Sequence, residues 1–280
     1  MAFPVADSHV HSEWSWDTSA GDMEATCARA LSLGLPALAF TEHLDHTVWT
    51  ATREGLDESP ELASHADADG AVTPPAFDAE GYLAAIERCR DRFPGLHILS
   101  GLEIGEPHRH PSQVATVLAT GDFDRLLGSL HCLPVAGGGF CEPPALFERH
   151  DADRVIRDYL AEVPTVVACS DDFEIFAHLD YPVRYLPFGA EPFDPDSYED
   201  EFRLALRAVA EGGRTLEVNT RLPMHPRLVR WWREEGGTTV SFGSDAHLPA
   251  ALASGFREAT HMVEAHGFRP GRQPYDFWTL

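Results

Sequence analysis

Lysine is absent from this sequence: all 21 basic residues are arginine, against 45 acidic residues, and the 280 residues carry a net charge of −24. The absence of lysine excludes Schiff-base chemistry and a phosphate-binding loop of the P-loop type. The acidic excess argues against a nucleic-acid backbone or an anionic membrane as the main partner. A small anionic substrate remains compatible with it, because bound metal ions can reverse the local field.

Long apolar runs and paired cysteine motifs are also missing. No stretch of about 18 apolar residues occurs, which predicts no transmembrane helix. The first residues, MAFPVADSHVH, lack the basic and apolar regions of a signal peptide. The 5 cysteines are odd in number and form no Cys-x-x-Cys motif, which is typical of reduced thiols. The sequence therefore predicts a cytoplasmic protein, and it does not indicate an oligomeric state.

The apolar residues that are present follow two alternating periodicities. At 44% of the chain they suffice for a substantial core, so a disordered protein is excluded. Short apolar segments alternate with amphipathic helical segments, which is typical of parallel α/β folds. The predicted strands are residues 5–9, 37–41, 97–103, 125–131, 173–178, 214–219 and 238–243. The predicted helices are residues 22–33, 78–93, 111–120, 151–170 (broken near Pro164), 196–211, 226–235 and 249–266.

Seven strand–helix units predict an α/β fold, a distorted seven-stranded (β/α) TIM-like barrel. An open, doubly wound sheet is the structural alternative. We expect a single domain over residues 1–280, because candidate site residues fall on both sides of every break in the pattern. A polar, acidic stretch at about residues 45–76 interrupts the pattern, and a loop of that length predicts a functional lid or a mobile insertion.

Histidine or a carboxylate follows nearly every predicted strand. In strand order these residues are His9, His11 and Asp17; His43; Glu103; His131; His178; Glu217 and Asn219; and Asp245 with His247. The carboxyl ends of barrel strands converge on one rim, which hosts the active site, so we expect these side chains to lie together. Zinc, manganese and iron accept imidazole and carboxylate ligands. The pattern therefore predicts a metal centre.

Residue spacing supports this interpretation independently. His9-x-His11 on an extended segment places both imidazoles on one face, because the strand period is two, and Asp245-x-His247 repeats the arrangement. Each motif alone has an ordinary alternative: Ser244 or Asp245 could cap a helix, and a single strand-end histidine is more often a hydrogen-bonded structural residue. Six of the seven predicted strands end in an expected ligand residue or reach one within two residues, which makes coincidence the weaker explanation.

The motifs also occur in a recognisable order. The segments DSHVHSEWSWD, AFTEHLD, GLEIGE, LLGSLHCL, IFAHLDYPVRY, LEVNT and SFGSDAH resemble the PHP (polymerase and histidinol phosphatase) family over about residues 5–250. The resemblance implies a distorted seven-stranded barrel with three divalent ions (zinc, manganese or iron) on its rim. It implies nine metal ligands, which are His9, His11, Asp17, His43, Glu103, His131, His178, Asp245 and His247. Glu103 would bridge ions, and Asp17 stands where many relatives carry histidine.

Within that family, the segment AHLDYPVRY most resembles the histidinol-phosphate phosphatases. The resemblance implies hydrolysis of a small anionic phosphate monoester, with L-histidinol phosphate expected first. The segment RLPMHPRL and the acidic stretch depart from the family pattern, so another phosphorylated metabolite, a nucleotide or a phosphodiester is the alternative. A non-catalytic metal-binding module is a further alternative. An amidohydrolase usually needs a bridging carbamylated lysine, which this chain lacks.

The expected chemistry is direct attack of an activated water on phosphorus, without a covalent phospho-enzyme. Arg184 and Arg221 are the expected phosphate-binding residues, since a guanidinium group binds phosphate oxygens bidentately. Either arginine could instead be an ordinary solvated residue. Asp17 or His247 could protonate the leaving alcohol. We expect no nucleic-acid partner and no membrane partner.

Overall fold

The computed structural model describes residues 5–280. Within that range one sheet has eight strands, which are β1 (Asp7–Val10), β2 (Ala37–Leu44), β3 (His97–Gly105), β4 (Arg125–Ser129), β5 (Ile175–Phe176), β6 (Thr215–Asn219), β7 (Thr239–Gly243) and β8 (Trp278–Thr279). Strands β1 to β7 lie in chain order and pair in parallel, whereas β8 is antiparallel to β7. The sequence did not predict β8, because two residues are too short to carry a strand pattern.

The sheet curls until β1 meets the segment that follows β7. The Asp245 amide donates a hydrogen bond to the His9 carbonyl at 2.8 Å, and the His11 amide donates to the Ala246 carbonyl at 2.9 Å. Val10 and Ala246 also form a parallel bridge. The chain therefore has an α/β fold with a curled, mostly parallel sheet, consistent with a TIM-like barrel, which confirms the α/β part of the predicted fold class.

The described residues form ten α-helices, which are α1 (Met23–Leu33), α2 (Arg53–Glu58), α3 (Pro60–Ser64), α4 (Ala79–Arg92), α5 (Pro111–Leu118), α6 (Pro143–Phe147), α7 (Ala152–Ala168), α8 (Glu199–Glu211), α9 (Pro226–Glu234) and α10 (Phe256–Ala265). Short 3-10 helices cover Pro107–Arg109, Tyr181–Tyr185, Pro195–Tyr198 and Pro249–Ala251. In α4 the side chains of Tyr82, Ile86 and Cys89 are buried, as their spacing predicts. No helix in this part of the chain is long and apolar enough to cross a bilayer.

Two helices differ from their predictions. Helix α7 runs unbroken through Pro164, where the sequence predicted a break. Pro164 lies close to the helix end, so its missing N–H removes a single late hydrogen bond, while the buried Val163 and Val167 keep the last turns packed. The predicted helix 249–266 is divided, because Gly255 adopts a left-handed φ of 74° as the N-cap of α10.

The acidic stretch at 45–76 is folded rather than an open loop. Trp49–Thr50 pairs antiparallel with Ala71–Val72, and α2 and α3 lie between them. The side chain of Thr52 caps α2 and that of Ser59 caps α3, which satisfies backbone groups that such short helices leave free. Trp49 and Val72 are buried together with Cys132 of the sheet mouth. We call residues 45–76 the acidic insertion.

Candidate metal centre

The strand ends bring all nine predicted ligand residues to one mouth of the sheet. His9, His43 and Glu103 lie within β1, β2 and β3, whereas His131, His178 and Asp245 lie two residues beyond β4, β5 and β7. The nine residues form a connected set of side-chain contacts of 4.0 Å or less. The convergence predicted from parallel strands is therefore present.

The carboxylate of Glu103 lies at the centre of this set and is only 1% exposed. Its Oε1 atom lies 3.1 Å from Nε2 of His131 and 2.7 Å from Nε2 of His178. Its Oε2 atom contacts three further imidazoles. It lies 3.1 Å from Nε2 of His9, 3.4 Å from Nε2 of His11 and 3.4 Å from Nδ1 of His43. A carboxylate whose two oxygens face separate imidazole groups has the geometry of a bridging ligand.

The possible ligand atoms form four overlapping groups, each within 4.8 Å. The groups are His9, His11 and Glu103; Glu103, His131 and His178; His11, His43 and His247; and His43, Asp45 and His131. Each group directs three nitrogen or oxygen donors to one place, which is what zinc, manganese or iron accepts. Because the groups share members, neighbouring ions would share ligands.

Asp17 and His247 close the outer side of the mouth. Asp17 Oδ2 lies 2.9 Å from His247 Nε2 and 3.4 Å from His43 Nε2. Asp17 therefore reaches back over the rim from the loop after β1. Its side chain is 28% exposed and that of His247 is 16% exposed, so this pair faces the solvent more than the Glu103 carboxylate does.

Both predicted phosphate-binding arginines lie beside Asp245. The Nη1 atom of Arg184 donates to Asp245 Oδ2 at 2.7 Å, and Nη1 of Arg221 donates to Asp245 Oδ1 at 3.3 Å. Asp245 has a left-handed φ of 54°, a strained conformation that is typical of functional sites. The buried Nε and Nη2 atoms of Arg184 have no hydrogen-bond partner among residues 5–280, which leaves donors available for an anion.

The family model for the PHP domain matches residues 7–221. The chain belongs to the PHP domain family. A probable histidinol-phosphatase from Deinococcus radiodurans is 31% identical over 277 residues, covering 95% of each chain. A histidinol-phosphatase from Lactococcus lactis is 24% identical over 270 residues, covering 94% of this chain and 91% of the relative.

Among solved structures, the histidinol phosphate phosphatase from Lactococcus lactis, a complex with zinc, L-histidinol and phosphate, superposes with a TM-score of 0.78. It is 22% identical, and the match covers 95% of both chains. The histidinol phosphatase described for Listeria monocytogenes has a TM-score of 0.68 at 18% identity, over 90% of this chain and 99% of that chain. At these identities the superpositions establish the PHP fold of the chain.

The PHP sequence motifs left two orienting residues without a role. Glu217 Oε1 accepts a hydrogen bond from His9 Nδ1 at 2.6 Å, and its Oε2 accepts from the His178 amide at 2.7 Å and from Asn219 Nδ2 at 3.1 Å. Carboxylates in this position fix the orientation of a metal-binding imidazole. Glu217 and Asn219 were noted at the end of their strand, but only the folded register identifies their partners.

Asp45 was missed as a member of the PHP centre because it was assigned to the acidic insertion. Its Oδ2 atom lies 3.3 Å from His43 Nδ1, and its Oδ1 atom lies 3.6 Å from His131 Nδ1. The available signal was the spacing His43-x-Asp45, which places both side chains on one face of an extended strand.

Electrostatics make the centre a set of opposed charges. Burial works against ionisation of Glu103 and Asp245, but the histidines around Glu103 and Arg184 beside Asp245 hold both pKa values well below their usual range. Burial likewise opposes protonation of His9 and His43, yet the surrounding carboxylates raise both pKa values well above the ordinary value. For His11 burial prevails and lowers the pKa to about 3.

The donor set fits divalent metal ions. His9 Nδ1 faces a carboxylate oxygen, which can only accept, so the lone pair of a neutral His9 is on Nε2. That atom lies 3.0 Å from Nε2 of His11. In addition, the buried Asp17 Oδ1 and His178 Nδ1 atoms have no hydrogen-bond partner in the described part of the chain, which is unusual for buried polar atoms without an ion.

A cavity of about 520 Å³ opens above these residues. Its aromatic lining comprises Trp16, Trp49, Tyr181 and Tyr185, its cationic lining Arg184 and Arg221, and its remaining acidic lining Glu58, Glu106 and Glu142. The acidic insertion contributes Trp49, Gly55, Glu58, Ser59 and Leu62. The cavity therefore offers both cationic and acidic side chains to a small molecule.

Proposed function

We propose that this PHP protein is a metal-dependent phosphatase that hydrolyses L-histidinol phosphate to L-histidinol and phosphate. The observation that carries the proposal is the Glu103-centred imidazole cluster with two arginines beside Asp245 at one cavity. The relatives named histidinol-phosphatase, which match over nearly the whole chain, point to the same reaction.

We infer that the resident cofactor is three divalent ions, of zinc, manganese or iron. The ligands would be His9, His11, Asp17, His43, Glu103, His131, His178, Asp245 and His247, and the overlapping donor groups support a cluster of several ions that share ligands. Metal ions at such a centre supply an activated water and neutralise the phosphoryl oxygens. Asp45 belongs to one donor group and is either a tenth ligand or a partner of His43 and His131.

Substrate recognition would use both the cationic and the acidic side chains that line the cavity. Arg184 and Arg221 would bind the phosphate, because guanidinium groups pair with its oxygens. L-Histidinol phosphate also carries a protonated amine, which suits the carboxylates of Glu58 and Glu142 on the cavity wall. The aromatic lining provides faces on which an imidazole ring can stack. A nucleotide has no aliphatic amine and would leave these carboxylates without a partner.

Protonation of the leaving alcohol is assigned to the Asp17–His247 pair. Both side chains line the cavity, and His247 Nε2 lies 2.9 Å from Asp17 Oδ2. Burial alone would raise the pKa of Asp17, but the neighbouring histidines hold this pKa well below its usual range. Asp17 is therefore a poor acid. Of the two residues, His247 would donate the proton when its ring is not bound to a metal ion, with Asp17 fixing its orientation.

For the fold, we infer that β1 to β7 form the distorted seven-stranded barrel and that β8 is an addition to its edge. The backbone hydrogen bonds between β1 and residues 245–246 support this division. We treat residues 1–280 as a single domain, with the acidic insertion as part of the cavity wall.

A substrate panel tests the proposed reaction. Purified protein loaded with zinc or manganese is assayed for phosphate release from L-histidinol phosphate, glycerol 3-phosphate, 5′-AMP and p-nitrophenyl phosphate. We expect kcat/KM for L-histidinol phosphate to exceed the others at least about tenfold, since one buried charge pair contributes about this much. Chelation should abolish activity and added metal should restore it.

The outcomes separate the alternatives. A preference for 5′-AMP or another ester would replace the substrate and keep the phosphatase. No phosphate release from any ester by metal-loaded protein would favour a non-catalytic module. Growth of a histidine auxotroph that lacks histidinol phosphatase, when it carries this gene, is an independent test of the substrate.

A further inference from the structure

Glu42 is a fully buried carboxylate that the proposed reaction does not use. It precedes His43 in β2 and has 0% exposure. Three donors converge on it: the Ser12 amide at 3.0 Å, the Ser12 hydroxyl at 2.6 Å and the Ser15 hydroxyl at 2.7 Å. Burial raises the pKa of Glu42 to about 7, but the three donors directed at its two oxygens suit the ionised carboxylate, which only accepts hydrogen bonds.

The hydroxyl of Ser15 has three neighbours, and their chemistry decides where its proton lies. Its oxygen is 2.7 Å from Glu42 Oε2, 3.1 Å from the His43 amide nitrogen and 2.9 Å from His11 Nδ1. The amide can only donate and the carboxylate only accepts, so the single hydroxyl proton of Ser15 points to Glu42. The Ser15 oxygen must then accept a hydrogen bond from His11 Nδ1–H.

This direction determines the tautomer of His11. With its proton on Nδ1, a neutral His11 presents a bare lone pair on Nε2. That atom lies 3.0 Å from His9 Nε2, 3.4 Å from Glu103 Oε2 and 3.6 Å from Asp245 Oδ1. His9 is held in the same tautomer by the direct contact of its Nδ1 with Glu217. If both rings are neutral, their lone pairs face each other at this distance and repel, so the contact needs either a metal ion or a proton between the two nitrogen atoms.

We propose that Ser15 and Glu42 are positioning residues: Glu42 orients the Ser15 hydroxyl, which fixes His11 with its proton on Nδ1 and Nε2 available to a metal ion. The inference rests on the proposed metal centre and adds residues that touch neither substrate nor metal. The two histidines of His9-x-His11 are thus oriented differently, one by a carboxylate directly and the other through a hydroxyl. Loss of such a partner typically lowers metal affinity about 10–100-fold.

The test compares Ser15→Ala with Ser12→Ala and with the conservative Ser15→Thr. Ser12→Ala removes the other hydroxyl from which Glu42 accepts a hydrogen bond. The contacts of His11 stay intact, so this variant is the matched control for loosening of the loop. Zinc affinity is measured by titrating metal-free protein against a chromophoric chelator, without substrate. We expect Ser15→Ala to lower the zinc affinity of the site that includes His11 at least about tenfold. Ser12→Ala and Ser15→Thr should remain within about threefold of the unmodified protein.

The tautomer itself is read by nuclear magnetic resonance of ¹⁵N-histidine-labelled, zinc-loaded protein, with His11 assigned by the loss of its signals in His11→Asn. We expect the proton on Nδ1 of His11. A proton on Nε2 of His11 in the zinc-loaded protein would overturn the proposed tautomer and with it the positioning role. Zinc binding by the unmodified protein together with equal affinity of Ser15→Ala would overturn the positioning role alone. Failure of the unmodified protein to bind zinc would overturn the metal centre and this inference with it.

Discussion

Three of the imidazoles around Glu103 hold protons where metal ions are expected to bind. Carboxylates outweigh burial and raise the pKa values of His9, His43 and His131 well above the ordinary value. In metal-free protein at pH 7 these rings are therefore charged, and a metal ion can use their lone pairs only after the protons leave. Metal affinity should consequently increase as pH rises.

This competition gives a first prediction, that zinc binding to the metal-free protein at pH 7 releases protons. A weakly buffered solution with a pH indicator, or calorimetry in two buffers of different ionisation enthalpy, measures the number. We expect at least about one proton per protein. The variant His261→Ala, which removes an exposed histidine of α10, should release the same number. Zinc binding without proton release would contradict the charge state inferred here.

Arg184 provides a second prediction. Its guanidinium group is buried against Asp245 and Tyr181. Within residues 5–280, its Nε and Nη2 atoms have no hydrogen-bond partner. Arg184→Ala should lower kcat/KM about tenfold or more, since a hydrogen bond to a charged group contributes about 1.5–3 kcal/mol, while metal content is retained. Arg207→Ala is the control, because Arg207 pairs with Glu235 on the surface. An unchanged kcat/KM in metal-replete Arg184→Ala would remove Arg184 from the site.

At the scale of elements, the acidic insertion is part of the cavity wall. Helices α2 and α3 place Gly55, Glu58, Ser59 and Leu62 on the lining. Trp49 and Val72 fix the base of the insertion against Cys132, and the His65 ring packs edge-on against Trp16 at 5.6 Å. The insertion is thus anchored at both ends and can shape substrate selection without supplying one of the nine proposed ligands.

A third prediction concerns this insertion. Replacing residues 53–64 by a glycine–serine linker should raise KM for L-histidinol phosphate severalfold, because the Glu58 side of the cavity is lost, and should leave metal content unchanged. Activity towards p-nitrophenyl phosphate, which has no amine, should change much less. The point variant Glu58→Ala tests the same contact with the backbone intact. Equal losses for both substrates would assign the insertion a general structural role.

At the scale of the whole molecule, the charge of −24 opposes compactness. Unbalanced like charges repel in the folded state, and salt screens them over a Debye length of about 10 Å at 0.1 M. Ion pairs such as Arg203 with Glu199, Glu234 and Glu235 offset part of this repulsion. Since 45 acidic residues face only 21 arginines, most of it remains.

The fourth prediction follows from this imbalance. The Tm at pH 7.5 should rise by several degrees between about 20 mM and 500 mM sodium chloride, as the repulsion is screened. Differential scanning fluorimetry measures it on metal-loaded protein. The same series near pH 5, close to the sequence pI of about 4.8, is the control and should change much less. A Tm that falls with salt at pH 7.5 would mean that attractive ion pairs dominate.

The sequence alone determined the α/β fold class and predicted that the histidines and carboxylates at the strand ends lie together, while the resemblance to the PHP family selected nine of them as expected ligands. Both follow from local regularities: apolar segments alternate with amphipathic ones, and in parallel strands every carboxyl end reaches the same edge. The spacing of His9 with His11 and of Asp245 with His247 needed only the strand period of two. These inferences require no knowledge of which distant residues touch.

Only the tertiary structure decided the partners of those ligands. Glu217 reaches His9, and Glu42 reaches His11 through Ser15, because the curl of the sheet and the path of one loop bring distant side chains within hydrogen-bond distance. Asp45 could have been assigned from its spacing to His43, but the acidic composition around it concealed it. The unbroken α7 at Pro164 likewise depends on the packing of Val163 and Val167. Local sequence encodes periodicity, whereas contacts between distant segments are set by how the whole chain packs.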